Sequence, residues 1–321
     1  MASVLIADNA HPVLAERLRA AGHEVKVEPD HDYRGLLDAV QGCKALVVRS
    51  KVDIDPAFID ASPGLRCIGR LGAGMETICV DYAEAHGVHC VNSPEGNRDA
   101  VGEHAVGLLL ALLDNMARAD AEVRGGLWRR EGNRGLELGS LTVGIIGLGS
   151  MGRAFAKRLS GFGCDVIYYD KHPVDTGVES EGLGWLRRVG LDELRREADV
   201  VSLHVPLTPD TRHMVDGQFI SAMAKPFFLV NTSRGAVVDT LALADALDAG
   251  KVRGAALDVL EHENMQADAL GSVPDEVRRL MLSPRTVLTP HVAGWTVESK
   301  YKLAAVLADK IIATLHDCGE E

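Results

Sequence analysis

Several features that would assign the 321-residue chain to a class outright are missing. No two cysteines stand at CxxC spacing: the six fall at 43, 67, 79, 90, 164 and 318, several in apolar, strand-like runs. Reduced core cysteines fit this spacing better than a disulfide framework, and no metal site is expected. Positive charge is in deficit, with 34 Lys and Arg against 46 Asp and Glu and a net charge of −12. A duplex-binding protein normally carries a basic face, so no nucleic-acid partner is expected. An anionic substrate would need local Arg or Lys to overcome that global field. Long apolar runs are also lacking: the longest, AVGLLLALL at 105–113, is too short to span a bilayer and reads as a core helix. No basic region precedes the apolar start of MASVLIADNAHP, so no signal peptide is evident, and a cytoplasmic protein off the membrane is expected.

What the chain does have is alternation. SVLIAD (3–8), KALVVRS (44–50), LRCIGRLG (65–72) and GVHCVN (87–92) read as strands with helices or turns between them. A long helix follows from about Asp99 to Arg124, with Asn97 as its cap. A second series then begins: LTVGIIGLG (141–149), DVIYYD (165–170), ADVVSLHVP (198–206), FFLVNTS (227–233) and VRGAALDV (252–259). Strands alternating with helices imply parallel sheets, so the expected fold class is α/β with two units in tandem. The length allows about two domains with ample cores. The last helix, about 297–316, follows the apparently complete second series and could return to the first unit.

Within VGIIGLGSMG lies Gly147-x-Gly149-x-x-Gly152, after a strand and at the start of a helix that Ser150 and Met151 open. The first glycine permits a tight turn, the second the approach of a pyrophosphate, and the third close helix–strand packing. Free N–H groups at the helix start suit phosphate. Asp170 ends the next strand, where a carboxylate can accept from ribose hydroxyls and repels a 2′-phosphate. NAD is therefore expected over NADP, although neighbouring Lys171 blunts the preference. The plainer alternative is a structural turn with a surface Asp.

A nicotinamide enzyme that oxidises an alcohol needs a base, a cation at the substrate oxygen and a group to orient the base. In FFLVNTSRGAVVD, a buried strand delivers Arg234 to its mouth, which could equally be a loop arginine in water. His204 and His291 each end or follow an apolar strand, and each alone is more often a packed histidine. Arg234, Glu263 and His291 together follow strands of the second unit, at the edge where such sheets bind ligands.

These segments are similar to the D-isomer-specific 2-hydroxyacid dehydrogenases. The motifs are GIIGLGSMG, HVPLTPDTRHMV, NTSRGAVVD, ALDVLEHE and TPHVAGWTVES, in the family's order, with IGRLGAGMETICVDYAEAHGVHCVNSPEGN resembling its substrate-domain segment. The resemblance covers nearly the whole chain. It implies two Rossmann-like, doubly wound domains separated by a cleft: a discontinuous substrate domain of 1–97 and 291–321, and an NAD-binding domain of 98–290 with a dimerisation arm at about 99–131. It implies that Arg234 binds the substrate carboxylate and polarises the C2 oxygen, that His291 is the acid or base, and that Glu263 orients it. By the same resemblance Asp258 meets the nicotinamide carboxamide, and Val205, Pro206, Thr211, Thr232, Ser233 and Gly294 line the cofactor. The Gly72-Ala73-Gly74 backbone binds the substrate carboxylate, beside Arg49, Ser50 and Arg70. A homodimer acting on a small anionic 2-hydroxy or 2-oxo acid is implied.

The nearest likeness is to short D-3-phosphoglycerate dehydrogenases, without a regulatory domain. The expected substrate is 3-phosphoglycerate, its phosphate received by Arg49 and Arg70 with Lys51 near. Glycerate or hydroxypyruvate reductase is the alternative, and a dinucleotide-sensing, corepressor-like binding protein is the alternative from another class. The chain departs from the family at Asn264, where Pro is usual after the catalytic Glu. It also carries a long 264–290 stretch with an acidic helical piece at 274–281, and bulky Trp295, which could shape the substrate pocket.

Overall fold

The computed structural model describes residues 1–172, 178–179, 181–261, 263 and 273–317. Asn264 and Cys318 lie outside them. Backbone contacts divide the chain into two compact units, Met1–Arg98 with the chain from Trp295 on, and Asp99–Gly294.

The first unit carries five parallel strands: β1 (Ser3–Ile6), β2 (Glu24–Val27), β3 (Ala45–Val48), β4 (Cys67–Arg70) and β5 (His89–Asn92). Their order, β2-β1-β3-β4-β5, is one of the two common doubly wound arrangements. β3 is a continuous apolar run, and β1 and β4 are buried over all but one residue each, because helices cover both faces. On one face Leu303, Leu307 and Ile311 of the Val297–Asp317 helix join Val4, Ile6, Val47 and Cys67 in one core. On the other, Phe58 packs with Leu5, Leu46 and Ile68. β2 was not legible as a strand: at the sheet edge, its EVKV is largely exposed and alternates charge with valine.

The second unit carries seven parallel strands: β6 (Thr142–Ile146), β7 (Asp165–Tyr169), β8 (Arg187–Arg188), β9 (Val200–Leu203), β10 (Phe227–Asn231), β11 (Val252–Leu257) and β12 (Thr286–Leu288). Their order is β12-β11-β10-β9-β6-β7-β8. Read from β8, this is the Rossmann order with one strand added at the far edge. The order reverses between β6 and β9, and such folds bind dinucleotides outside the strand ends at that point.

The long helix expected over 99–124 is two helices, Pro94–Leu113 and Met116–Arg124, bent by 60° at the break. Proline suits the first turn because its missing N–H would be unpaired there anyway, so the helix starts at Pro94 and Asn97 lies inside it. Asn115 adopts a left-handed conformation (φ 52°) that ends the first helix and caps the second. No single described helix is long and apolar enough to cross a membrane.

Candidate active site

The glycine loop follows β6, and each glycine meets a different requirement. Gly147 has φ +91°, and a Cβ there would lie 2.6 Å from the His204 carbonyl oxygen at the end of β9. A Cβ on Gly152 would lie 2.1 Å from the Gly147 oxygen, so the Ser150–Leu159 helix can close on the strand only with glycine. A Cβ on Gly149 would meet nothing within 4 Å, which leaves the backbone open on that side. Asp170, just past β7, accepts from the Leu148 N–H at 2.7 Å and the His172 N–H at 2.9 Å, tying the loop to the next strand. Lys171 turns away to pair with Asp210. Thr232 Oγ1 is buried and lacks a partner among the described residues. An open glycine backbone at a helix start, a carboxylate at the neighbouring strand end and an unpaired buried hydroxyl fit NAD.

Val205 borders the same turn, its Cγ1 lying 2.9 Å from the Cβ position of Gly147. Thr211 Oγ1 donates to the Pro206 carbonyl at 2.6 Å and accepts from the Thr208 N–H at 2.8 Å, closing that loop on itself. His204 is a packed histidine. Its Nε2 bonds Ser202 Oγ at 2.8 Å, and burial pushes its pKa down to about 3, so it stays neutral.

β10 delivers Arg234 through a turn that Asn231 builds. The buried Asn231 Oδ1 accepts from the Ser233 N–H and hydroxyl, at 3.0 and 2.8 Å, while its Nδ2 donates to the Arg234 carbonyl at 2.9 Å. This side-chain mimic of a backbone turn sets the direction in which Arg234 leaves the sheet. Gly235 then packs on the segment carrying Glu263: a Cβ there would lie 2.0 Å from the Leu260 carbonyl. That segment is also held by Glu261, which bonds His213 at 2.6 Å and Thr240 at 3.0 Å.

His291 has φ 55°, an uncommon conformation for a residue with a Cβ. Its N–H donates to the Asp258 carbonyl at 2.7 Å. The Asp258 side chain, 1% exposed, accepts from Thr289 Oγ1 at 2.6 Å, the Val292 N–H at 2.9 Å and the Ala293 N–H at 2.8 Å. His104 Nε2 reaches Thr289 Oγ1 at 3.0 Å from the Pro94–Leu113 helix. Burial alone would raise the Asp258 pKa; the bonds from His104, Thr289 and the two amides outweigh it and hold it low. This carboxylate holds together the loop that presents His291.

Glu263 Oε2 lies 2.7 Å from His291 Nδ1. That bond raises the imidazole pKa above its usual value; burial and the nearby Arg234 charge oppose the rise. A carboxylate accepts, so Nδ1 carries the hydrogen and Nε2 is left to exchange a proton with a substrate. The structure thus brings Arg234, Glu263, His291 and Asp258 into one neighbourhood of the second unit. Asn231, Thr289, His104 and the Glu261–His213 pair escaped sequence reasoning. The only signal was the Asn-x-Ser spacing of 231–233, typical of such a turn.

In the first unit, Arg49 and Ser50 follow β3, and Arg70 ends β4 beside Val48. The Arg49 guanidinium lies 5.0 Å over the Trp295 ring. Arg70 folds over Gly72 (φ +148°) and donates to the Leu71 carbonyl at 3.0 Å. Asn92 Nδ2 donates to the Ala73 carbonyl at 2.6 Å, shaping the turn into Gly74. Lys51 lies 3.5 Å from Asp30.

Residues 106–293 match the family described as D-isomer specific 2-hydroxyacid dehydrogenase, NAD binding domain. The chain is 34% identical over 311 residues, 97% of its length, to a D-3-phosphoglycerate dehydrogenase of Methanocaldococcus jannaschii. It spans only 57% of that relative, and about half the length of the other phosphoglycerate dehydrogenases it matches. A hydroxypyruvate reductase of Thermotoga maritima is 35% identical over 303 residues, 94% of each chain. Among solved structures, a D-lactate dehydrogenase from Aquifex aeolicus complexed with NAD and lactic acid is similar with a TM-score of 0.83 and 26% identity, over 99% of this chain and 96% of that one.

Proposed function

Because the chain belongs to the D-isomer-specific 2-hydroxyacid dehydrogenase family, we propose that it moves a hydride between NAD and the C2 carbon of a D-2-hydroxy acid. The observation that carries this is the His291–Glu263 pair, 2.7 Å apart, within reach of the Arg234 charge. When bound, NAD supplies the hydride acceptor. Arg234 holds the substrate carboxylate and polarises the C2 oxygen; its fork stays charged and binds two oxygens at once. His291 Nε2 takes the hydroxyl proton in oxidation and returns it in reduction. Glu263 fixes the tautomer and stabilises the imidazolium, as a buried carboxylate does for a catalytic histidine elsewhere. Asp258, Thr289 and His104 hold the His291 backbone in place.

The substrate we propose is the 3-phosphoglycerate and 3-phosphohydroxypyruvate pair. Arg49 and Arg70 end adjacent strands, and Arg49 follows β3 at the point where the order of the first sheet reverses. A local pair of guanidiniums is what an acidic chain needs to hold a doubly charged phosphate. Hydroxypyruvate is the second reading, favoured by the match to the Thermotoga reductase over 94% of both chains. Absorbance of NADH with a panel of 2-oxo acids tests both. Arg70→Ala should cost on the order of 10- to 100-fold in kcat/KM for the phosphorylated substrate and leave hydroxypyruvate nearly unchanged. Equal losses on both would remove the phosphate assignment, and no NADH oxidation with any 2-oxo acid would remove the activity itself.

The exposed Met116, Val123, Leu127 and Trp128, the last 79% accessible, support a homodimer through the 99–131 arm. A single 34.4 kDa species by light scattering at micromolar concentration would contradict it.

A further inference from the structure

Arg234, Asp258 and His291 all follow the C-terminal ends of strands in the seven-stranded sheet. The opposite edge, where β10, β11 and β12 begin, has its own chemistry. A shallow recess opens there, lined in part by Asn115, Arg118, Phe228, Arg253, Arg285 and Thr286. Among the described residues, three arginines and no carboxylate line it. In a chain with a net charge of −12, that is a local reversal of sign.

The three arginines come from separate segments of the second unit. Arg118, on the Met116–Arg124 helix, donates to Asn133 Oδ1 at 2.9 Å and to the Gly132 carbonyl. The Arg253 guanidinium sits 4.7 Å over the Phe228 ring, and makes no hydrogen bond or ion pair with any described residue. Arg285 comes no nearer to a described carboxylate than 4.0 Å, from Asp248, which Arg279 already holds at 2.6 Å. Like charges gathered with little counter-charge repel one another, and an oxyanion that accepts from several forks at once relieves this. A ring that fixes a guanidinium before binding lowers the ordering cost.

We propose that this recess binds a tetrahedral oxyanion of the phosphate class, free or carried on a small metabolite, at a site separate from hydride transfer. The planar forks of Arg253 and Arg285 are the donors. A chloride-sized ion would satisfy the charge but not the paired N–H geometry.

The test is calorimetric titration of the full chain, saturated with NADH, using inorganic phosphate, sulfate and glycerol phosphate as probes and chloride at equal ionic strength as the blank. Saturable binding above the blank is expected, and the tighter of inorganic phosphate and the phosphomonoester identifies the source. Arg253→Ala and Arg285→Ala should each weaken it by about tenfold or more, while turnover without added phosphate is unchanged. Arg253→Gln, which keeps a stem over Phe228, should weaken it as well, and NADH binding by each variant shows that the fold is intact. Arg234→Ala should bind phosphate as the wild type does. No saturable signal above chloride, or equal affinity in an Arg253→Ala, Arg285→Ala double variant, would overturn the assignment.

Discussion

Asp258→Asn isolates the network that presents His291. The wild-type carboxylate accepts three close bonds, from Thr289 Oγ1, the Val292 N–H and the Ala293 N–H. An amide offers one oxygen and one NH2. If the oxygen keeps Thr289 and Val292, the NH2 faces the Ala293 N–H, two donors head to head. One bond to a charged acceptor is then lost, about 1.5–3 kcal/mol, and one buried donor is left unpaired, about 1–3 kcal/mol. With 1% exposure no water can substitute, so a total of roughly 2.5–6 kcal/mol is expected. For a unit of the size of Asp99–Gly294, each kcal/mol lowers Tm by roughly 2–4 °C, so calorimetry should show a fall of about 5–24 °C. The pH dependence follows as well. Because its pKa is depressed, Asp258 contributes stability above an unfolded value of about 3.9, lost as pH falls through the lower folded value. The variant should lack that acid limb. A fall of less than about 2 °C, with the acid limb retained, would refute a structural role for this carboxylate.

Glu263→Gln removes the charge that raises the His291 pKa, so the decline of reduction with rising pH should move to lower pH and oxidation should rise at lower pH too. With both side chains partly in water, the lower end of a charge-assisted bond applies, about tenfold in kcat; superimposable pH profiles would show that Glu263 does not act on His291. Asp170→Ala should narrow a wild-type preference for NADH over NADPH of at least about tenfold, read as the ratio of kcat/KM values, and an unchanged ratio would discharge Asp170 from cofactor choice. Gly235→Ala sets a Cβ 2.0 Å from the Leu260 carbonyl and must displace the Glu263 segment, so kcat should drop by about 10²-fold even where the protein still folds; wild-type kcat and Tm together would contradict that contact.

The glycine loop was legible because each of its demands is local: a positive φ at Gly147, an open backbone at Gly149 and a close approach at Gly152 all fall within six residues. The apolar runs of β3, β6 and β10 declared buried parallel strands in the same way. The two-residue β8 could not be read, since Arg187–Arg188 at a sheet edge has no apolar face to advertise. Nor could the break at Asn115, because an Asn in an otherwise helical run does not reveal that its backbone turns left-handed. Arg234, Glu263 and His291 were named by resemblance, and spacing alone left each as an ordinary surface or packed residue. The supports of His291 were invisible for a different reason. Thr289, Val292 and Ala293 reach Asp258 from more than thirty positions away, and His104 approaches from another helix; only the folded sheet makes them neighbours.

The first unit is built from both ends of the chain, with Leu303, Leu307 and Ile311 filling a core begun by Val4 and Ile6. That connectivity orders events on the ribosome. The unit begun first cannot be finished first: its sheet emerges early but waits for a helix encoded after the whole of Asp99–Gly294. At bacterial-to-eukaryotic elongation rates the 196 residues between (294 − 99 + 1) take roughly 10–40 s to synthesise. During that interval the face of β1, β3 and β4 that the Val297–Asp317 helix completes is covered by the Val13–Ala20 helix alone. The nascent first unit is therefore more exposed to aggregation until the Val297–Asp317 helix emerges and completes its core.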